Sequence, residues 1–321
     1  MESYDGKIKG KSFLITGGSG FLGSWLSERI EALGGTVTIL DNLSSGSRDN
    51  SKHLKAKFIQ ADVCETKTLP GKLDYIIHAA SIASPDYYQK KPIETIWANT
   101  KGLHNMLEIA KQKKVKGFLF TSTSEVYGNP PDKFVPTPET YYGNVNSYGP
   151  RSCYDEGKRC GEAYCYTFFQ AFGTPVRLAR IFNTYGPRLR AKEGSSYGRV
   201  IPRFVNQARA NEDITVFGNG KQTRSFCYVD DQVDGLLRLL LLDGLDGQVV
   251  NIGNDDEKTI IELAKTIKNA VSSSSEVAFG PLPKDDPIRR CPDLRKAKKL
   301  LGFKPRIKLK EGLKETIGWM T

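Results

Sequence analysis

The amino-acid sequence predicts the α/β fold class: a doubly wound parallel sheet with a smaller C-terminal lobe. In the first part of the chain, apolar runs of strand length alternate with helical patterns. A glycine-rich stretch, TGGSGFLG, follows the first of these runs. After Gly186 the sequence becomes richer in proline, glycine and arginine, and its apolar runs are shorter. Strands that alternate with helices are typical of a parallel sheet with helices on both faces.

Six apolar runs predict the strands of the first domain. They cover residues 12–15, 36–40, 57–59, 75–77, 117–120 and 175–181. Shorter runs at 214–217 and 249–252 are assigned to the C-terminal lobe. We therefore expect a first domain at 1–186, to which the chain returns at about 222–247, and a second domain at 187–321.

The composition is that of an ordinary globular protein, because 39% of the 321 residues are hydrophobic and 26% are charged. Residues 1–11 are polar and charged, and the most apolar run, 236–242, is short and contains Arg238. We expect no signal peptide, no membrane association and a cytoplasmic location.

Cysteine spacing and charge argue against two further classes of function. The six cysteines form no CxxC pair and have no histidine at ligand spacing, so we expect neither a disulfide nor a metal site. The net charge of +11 comes partly from basic clusters at 111–116 and 295–299, which contain no aromatic residue. Such clusters favour a solvated surface, or attraction of a small anionic substrate, over nucleic-acid binding.

The glycine-rich stretch predicts a Rossmann-type site for a dinucleotide. Gly17, Gly20 and Gly23 lie three residues apart, between the first apolar run and a helical pattern. Glycines let backbone N–H groups approach a pyrophosphate, and the helix N-terminus adds partial positive charge. Asp41 ends the second run, at the spacing where an acid accepts hydrogen bonds from the adenosine ribose and repels a 2′-phosphate. We expect NAD rather than NADP; the alternative is that Asp41 only caps a turn.

Tyr154 and Lys158 are four residues apart in SCYDEGKR, a spacing that places both on one face of a helix. An ammonium about 4 Å from a phenol is worth ~4 kcal/mol at an effective dielectric of 20, or about three pKa units. The pair therefore predicts a tyrosine whose pKa falls from ~10 to near 7, where it can act as a base. The alternative is a surface pair without function.

Polar side chains abruptly replace an apolar run at residues 121–128, TSTSEVYG. Four hydroxyl residues precede Glu125, and an acid costs free energy wherever water is partly excluded, so Glu125 needs a partner or a function. His78 ends another apolar run, and we expect it to be a packed or hydrogen-bonded structural residue.

The glycine stretch, the hydroxyl cluster and the YxxxK pattern, in this order, resemble the extended short-chain dehydrogenase/reductase family over almost the whole chain. Within that family the sequence is most similar to the UDP-glucuronate decarboxylases. The matching stretches are STSEVYG at 122–128, GPRSCYDEGKR at 149–159, ARIFNTYGPR at 179–188 and KQTRSF at 221–226. Two stretches depart from the pattern, namely residues 81–91 and a loop at 191–199 that looks longer than usual.

The resemblance implies a catalytic set, a cofactor site and a substrate site. Thr123, Tyr154 and Lys158 are implied as the hydroxyl, base and lysine, with Glu125 and Arg224 near the sugar acid. Cofactor contacts are implied for Gly17, Gly20, Phe21, Leu22, Gly23, Asp41, Asn42, Asp62, Val63, Ala79, Ala80, Asn99, Tyr154 and Lys158. Substrate contacts are implied for Ser84, Tyr88, Ser124, Arg224 and, around the nucleotide diphosphate, Asn183, Arg188, Phe217 and Arg290.

The implied reaction is decarboxylation of UDP-glucuronate to UDP-xylose by a homodimer that regenerates its NAD. Tyr154 takes the proton of the sugar 4-hydroxyl while hydride leaves carbon 4, which gives a ketone β to the carboxylate. Carbon dioxide is lost, and Glu125 with Arg224 is expected to position the carboxylate and assist reprotonation of carbon 5.

Two alternatives stay open. The first is another nucleotide-sugar enzyme, a 4-epimerase or a 4,6-dehydratase-like protein. Dehydratase relatives carry Asp-Glu where this chain has Ser124-Glu125, and epimerases usually carry small or hydroxyl residues at position 125. The second is a nonenzymatic NAD-binding regulatory protein, which would leave Glu125, Tyr154 and Lys158 unexplained.

Overall fold

The computed structural model describes residues 4–191 and 199–320, and these residues form fourteen β-strands and ten α-helices. The strands are β1 (Ser12–Thr16), β2 (Thr36–Asp41), β3 (Lys57–Gln60), β4 (Tyr75–His78), β5 (Gly117–Thr123), β6 (Val176–Ile181), β7 (Thr184–Tyr185), β8 (Ile214–Phe217), β9 (Thr223–Ser225), β10 (Cys227–Tyr228), β11 (Val249–Ile252), β12 (Glu257–Thr259), β13 (Val277–Gly280) and β14 (Arg289–Arg290). The helices are α1 (Phe21–Ala32), α2 (Pro85–Tyr88), α3 (Pro92–Trp97), α4 (Leu103–Lys113), α5 (Ser152–Phe172), α6 (Val200–Arg209), α7 (Val229–Leu241), α8 (Ile260–Ala270), α9 (Arg295–Leu301) and α10 (Leu309–Trp319).

The predicted fold class is confirmed by a seven-stranded parallel sheet in the order β11-β6-β5-β4-β1-β2-β3. The strand order reverses between β1 and β4, where Thr16 is in register with His78. Ligands of open parallel sheets bind at such a reversal, beyond the carboxyl ends of the strands. The glycine stretch leaves β1 at this point.

Alternate residues of each central strand enter two different cores, because successive side chains of a strand point to opposite faces. Phe13 and Ile15 of β1 pack in a core with α1 and α7, whereas Leu14 packs in a core with α4 and α5. All seven residues of β5 are buried, which explains why its sequence is a continuous apolar run until the hydroxyl residues begin.

The assignment of residues 249–252 to the C-terminal lobe is wrong. β11 pairs in parallel with β6 along its whole length, and Val250, Asn251 and Ile252 are fully buried. The change of composition after Gly186 does not show which sheet this strand joins. The sheet of a short buried strand is set by the strand it pairs with, and the neighbouring sequence does not reveal that partner. The chain thus runs through α7 back into the main sheet and leaves it after Ile252; the boundary near 186 stays a prediction.

Short strands form the remaining sheets. β8 pairs with β13, β7 pairs with β10, and β9 lies between β12 and β14. The pairing of β9 with β14 sets Arg224 opposite Arg290, so two arginines distant in sequence enter the site together. None of the helices in the two described ranges has the length and apolar composition needed to cross a membrane.

Candidate active site

A cavity of about 720 Å³ lies beyond the carboxyl ends of the parallel strands and extends to the C-terminal elements. It brings together most residues that the sequence singles out for cofactor, catalysis or substrate. Those in its wall are Gly17, Gly20, Phe21, Leu22, Gly23, Asp41, Asn42, Asp62, Val63, Ala79, Ala80, Thr123, Ser124, Glu125, Tyr154, Lys158, Asn183, Phe217, Arg224 and Arg290.

The loop between β1 and α1 requires glycine for steric reasons. Gly17 has φ +70°, and a Cβ there would lie 2.8 Å from the backbone nitrogen of Ala80. A Cβ on Gly23 would lie 2.1 Å from the carbonyl oxygen of Gly17. No side chain caps the N-terminus of α1, so its backbone N–H groups are available to a phosphate. This bare cradle fits the pyrophosphate of a dinucleotide.

Asp41 is fixed at the carboxyl end of β2. Its Oδ2 accepts a hydrogen bond from the backbone N–H of Ser19 at 2.9 Å, and its Oδ1 accepts one from Leu43 at 2.8 Å. Burial raises the pKa of Asp41, and the two backbone hydrogen bonds oppose that rise. The carboxylate does cap the turn, as the alternative supposed, but it also lines the cavity and keeps acceptor capacity for a ribose.

Asn99 lies outside the cavity wall, on the single π-helical turn Ala98–Gly102 that joins α3 to α4. Its Nδ2 donates to the carbonyl of Thr95 at 2.9 Å, whereas its buried Oδ1 has no hydrogen-bond partner among the described residues. A buried amide oxygen without a donor is costly, so a ligand or water is expected to supply one.

Tyr154 and Lys158 lie one turn apart on α5, and both are buried. The Lys158 ammonium donates to the carbonyl of Thr121 at 2.6 Å and lies 5.9 Å from the centre of the Tyr154 ring. Burial lowers the pKa of Lys158 to about 7. Burial also raises the pKa of Tyr154 above its ordinary value, which the Thr123 hydroxyl only partly opposes.

The expected fall of the Tyr154 pKa is therefore wrong, because the pKa is raised. The sequence argument counted the attraction between the two side chains and omitted the cost of removing both from water. Desolvation disfavours the phenolate and the ammonium alike, and here it dominates.

Glu125 lies in the 3₁₀ turn that follows β5, and two arginines hold its carboxylate. Arg290 donates to it through both terminal nitrogens at 2.6 Å, and Arg151 donates to Oε2 at 2.5 Å. Burial raises the pKa of Glu125, but the two guanidinium groups outweigh burial and hold that pKa well below its ordinary value. Glu125 is therefore an ionised, doubly bridged carboxylate at neutral pH.

Arg224 lies in the same cavity wall as Glu125, and the joint role of the two residues at the sugar acid stays a prediction. Nη2 of Arg224 donates to Asp286 at 2.9 Å, and Asp286 lies 3.9 Å from Arg151. Arg290 is engaged with Glu125; its place at a nucleotide diphosphate stays a prediction. Three guanidinium groups thus converge on one wall of the cavity.

Four residues implied by the resemblance, Asn99 among them, lie outside the cavity wall. Ser84 begins α2 and is buried, and Tyr88 stacks on Tyr154 with ring centres 5.4 Å apart. Arg188 contacts Glu28 and lies 4.8 Å above the ring of Trp25. The substrate contacts implied for Ser84, Tyr88 and Arg188 stay predictions.

The sequence analysis missed three arginines that line the cavity, namely Arg151, Arg199 and Arg203. Arg151 stands three residues before Tyr154, within the matched stretch GPRSCYDEGKR, which was the available signal. Arg203 of α6 lines the cavity and lies 4.7 Å above the ring of Phe217. Residues 192–198 of the long loop lie outside the described residues.

His78 is fully buried and hydrogen-bonded, as expected of a structural residue. Its Nδ1 lies 3.0 Å from Thr16 Oγ1, and its Nε2 lies 3.3 Å from the carbonyl of Ala98. No group of three or more His, Cys, Asp or Glu side chains is arranged to hold a metal ion within residues 4–191 and 199–320.

Comparison with known proteins gives a consistent family. The NAD dependent epimerase/dehydratase family matches residues 13–253. UDP-glucuronic acid decarboxylase 1 of Danio rerio is 45% identical over 97% of this chain and 73% of that protein. UDP-glucuronic acid decarboxylase 5 of Arabidopsis thaliana is 46% identical over 94% of this chain and 86% of that protein.

Solved structures of similar fold include two epimerases. The UDP-glucose 4-epimerase of Thermotoga maritima superposes with a TM-score of 0.87 at 30% identity, covering 96% of this chain and 98% of that chain. The UDP-glucuronic acid 4-epimerase of Bacillus cereus, in complex with UDP-glucuronic acid and NAD, gives a TM-score of 0.84 at 25% identity over 96% and 98% of the two chains.

Proposed function

The chain belongs to the NAD dependent epimerase/dehydratase family, and from this premise we propose that it converts UDP-glucuronate to UDP-xylose and carbon dioxide. One observation carries the proposal. An ionised glutamate and three arginines form a wall of the same cavity that holds Tyr154 and the dinucleotide cradle. Guanidinium groups suit a substrate that brings its own carboxylate, because they can bind two carboxylate oxygens at once. The similarity to UDP-glucuronic acid decarboxylases supports the same activity.

The first step oxidises carbon 4 of the sugar. NAD, when bound, supplies the hydride acceptor for this step and the hydride donor for the last one. Tyr154 takes the proton of the 4-hydroxyl, and Thr123 is placed to hydrogen-bond the phenol oxygen. Tyr154 has to be a phenolate before it accepts this proton, and Lys158, buried beside the pair and anchored to the Thr121 carbonyl, stabilises that phenolate when it carries its ammonium charge.

The second step loses carbon dioxide from a β-keto acid. The electron pair of the broken bond moves towards the ketone oxygen, where Thr123 and Tyr154 can stabilise the oxyanion. Glu125 is held rigidly by Arg151 and Arg290 beside this position, so it can orient the sugar acid and the proton that carbon 5 must receive. Because Glu125 is ionised, that proton has to be brought to it.

Product analysis tests the proposal. We expect the protein, incubated with NAD⁺ and UDP-glucuronate, to release carbon dioxide and UDP-xylose, with a 4-keto pentose as a possible leaked intermediate. Recovery of UDP-galacturonate without gas would establish 4-epimerisation, the second candidate, which the fold similarity to a UDP-glucuronic acid 4-epimerase favours. Normal NAD⁺ binding without any turnover would favour the other alternative, a nonenzymatic NAD-binding regulatory protein.

Assembly and location are further parts of the proposal. We propose a homodimer that uses a face of α3 and α5, where Trp97, Tyr166 and Phe172 are at least half exposed. We propose a cytoplasmic location, with which the six free cysteines agree. Light scattering coupled to gel filtration tests the dimer: a monomeric mass at micromolar concentration would contradict it.

A further inference from the structure

A second cavity, of about 260 Å³, lies beside Glu125 and shares part of its wall with the main cavity. Glu125, Arg151 and Asp286 line both cavities, so these three side chains form the wall between them. The outer part of the second cavity is lined by exposed polar residues, which connect it to solvent: Asn129, Asn144, Asn146 and Asp285. A polar cavity of this size holds several water molecules.

Asp155 lines this second cavity and not the first, although it follows Tyr154 directly in sequence. Its side chain is buried, and its Oδ1 has no hydrogen-bond partner within the described part of the chain. Its Oδ2 lies 3.5 Å from Nε of Arg151. Burial raises the pKa of Asp155 and the charge of Glu125 raises it further, while Arg151 and Arg290 oppose both effects.

Glu125 and Asp155 therefore share one guanidinium, because Glu125 occupies Nη2 of Arg151 and Asp155 faces its Nε. Two carboxylates at one site do not both ionise easily, and the better-bridged one loses its proton first. Within residues 4–191 and 199–320, Arg290 bridges Glu125 as well, whereas the ion pair of Asp155 is with Arg151 alone. The geometry thus separates the pair into an ionised acid facing the substrate and a protonated acid facing the solvent cavity.

The proposed reaction needs a proton at this place, and the present inference rests on that proposed function. Decarboxylation breaks the bond between carbons 5 and 6, leaves its electron pair on the enolate and consumes one proton at carbon 5. The substrate and cofactor occupy the main cavity during this step. A proton therefore has to reach Glu125 from another side.

We propose that the second cavity is a proton-uptake path in which Asp155 supplies, through Glu125, the proton that carbon 5 receives. Asp155 gives its proton to Glu125, directly or through one water, and Glu125 gives it to carbon 5. Solvent then reprotonates Asp155 through the cavity, so each carbon dioxide released is matched by one proton taken up. Asp155 acts only through Glu125 and does not touch the substrate, so it is a positioning residue and not a catalytic one.

The transfer from Asp155 to Glu125 runs against their pKa values, and the strongly basic enolate carbon makes the overall transfer from Asp155 to carbon 5 favourable. While Asp155 is neutral, three positive guanidinium groups face three negative carboxylates. The guanidinium groups are those of Arg151, Arg224 and Arg290, and the carboxylates are those of Glu125, Asp286 and the substrate. Loss of carbon dioxide removes one negative charge from this group, so an anion at Asp155 becomes less costly as the proton is needed. The titratable and charged groups around Asp155 come from four places. Arg151 stands just before α5, the helix of Asp155, and Glu125 follows β5. Arg290 lies on β14, and Asp285 and Asp286 lie in the loop before β14.

The test compares Asp155→Asn with Glu156→Gln, which changes the next carboxyl on the same helix, outside both cavities and paired with Arg159. We expect Asp155→Asn to bind NAD⁺ and UDP-glucuronate normally and to form UDP-xylose roughly 100-fold more slowly. Reduced cofactor should accumulate, because the enolate waits for its proton at carbon 5, and enolate that escapes to solvent should be protonated there to a free 4-keto pentose. In the unaltered protein kcat should fall as Asp155 deprotonates on the alkaline side, and this limb should disappear in Asp155→Asn. Asp155→Glu should restore part of the rate, and Glu156→Gln should behave like the unaltered protein.

A purely structural role would lower stability and binding but leave the alkaline limb and the product distribution unchanged, and that result would overturn the relay. Infrared difference spectroscopy, which compares each variant with the unaltered protein, adds a readout without turnover: a protonated carboxyl band should be lost in Asp155→Asn and kept in Glu156→Gln. Absence of that band from the unaltered protein would also overturn the relay. Failure of the proposed function looks different, since the unaltered protein would then release no carbon dioxide from UDP-glucuronate.

Discussion

Glu125 is the residue on which the chemistry of the site depends most directly. We expect Glu125→Gln to keep binding UDP-glucuronate, because Arg151 and Arg290 lose a competing carboxylate, and to lose turnover by about 10²–10⁴-fold, the usual contribution of a positioned proton-transfer group. A single-turnover measurement of cofactor absorbance and carbon dioxide release checks this. Near-normal turnover would mean that the acid only holds the two arginines in place.

A matched control separates chemistry from stability in that experiment. Glu162 forms a comparable bridge with Arg180, at 2.6 Å and 2.9 Å, and lies outside the cavity wall. Removal of one partner from a buried ion pair typically costs about 3–5 kcal/mol of unfolding free energy. Glu162→Gln should therefore lower the melting temperature much as Glu125→Gln does, while it retains far more turnover per folded molecule.

His78 makes the stability of the protein depend on pH. Burial lowers the pKa of His78 from 6.5 to about 3, and the nearby Lys158 lowers it further. A group whose pKa is depressed by folding stabilises the protein above its unfolded pKa, and this stability is lost as pH falls towards the folded value. Stability should therefore fall by up to about 1.4 kcal/mol per pH unit from this group alone as pH drops below 6.5.

Urea unfolding of His78→Asn at several pH values measures that contribution. The variant is less stable at neutral pH because two hydrogen bonds change, but its acid slope should be shallower than that of the unaltered protein. His53→Gln, which alters an exposed histidine, should leave the slope as it is. Parallel slopes in all three proteins would contradict the assignment.

At the scale of the element, the β1–α1 loop has almost no freedom to change. A Cβ on Gly23 would lie 2.1 Å from the Gly17 carbonyl oxygen, which is backbone and cannot move aside cheaply. We expect Gly23→Ala to lose most NAD⁺ binding, since the loop must open at the pyrophosphate cradle, and to melt at a lower temperature. Gly318→Ala in α10 meets open space and should be neutral or slightly stabilising. Titration calorimetry and thermal melting distinguish these outcomes.

At the scale of the whole molecule, the cofactor should stabilise both the main sheet and the C-terminal elements, because one cavity joins them. A ligand that binds only the folded state adds about 2.7 kcal/mol at 100 times its Kd. NAD⁺ should therefore raise the melting temperature far more than NADP⁺, whose 2′-phosphate meets Asp41. Asp41→Ala should narrow the difference between the melting-temperature shifts caused by NAD⁺ and NADP⁺. Equal shifts with the two cofactors in the unaltered protein would refute the role of Asp41 in excluding the 2′-phosphate.

The sequence by itself determined the features that depend on local spacing. The glycines after β1, the alternation along the strands and the Tyr154–Lys158 turn of α5 all follow from residues within one or two turns of each other. The hydroxyl cluster before Glu125 lies at the carboxyl end of β5, although the strand continues to Thr123 and does not stop at residue 120 as predicted; the part of these side chains in the chemistry stays a prediction. Such patterns are readable because backbone geometry fixes which neighbours share a face.

Only the tertiary structure decided which charges meet and how much water surrounds them. Arg290 is 165 residues from Glu125 in sequence, and no spacing rule predicts that its guanidinium, with that of Arg151, holds the carboxylate. The same is true of β11, which joins the main sheet through contacts with β6. The direction of the Tyr154 pKa shift was also decided there, because desolvation depends on everything packed around a group and a sequence pattern records only its neighbours along the chain.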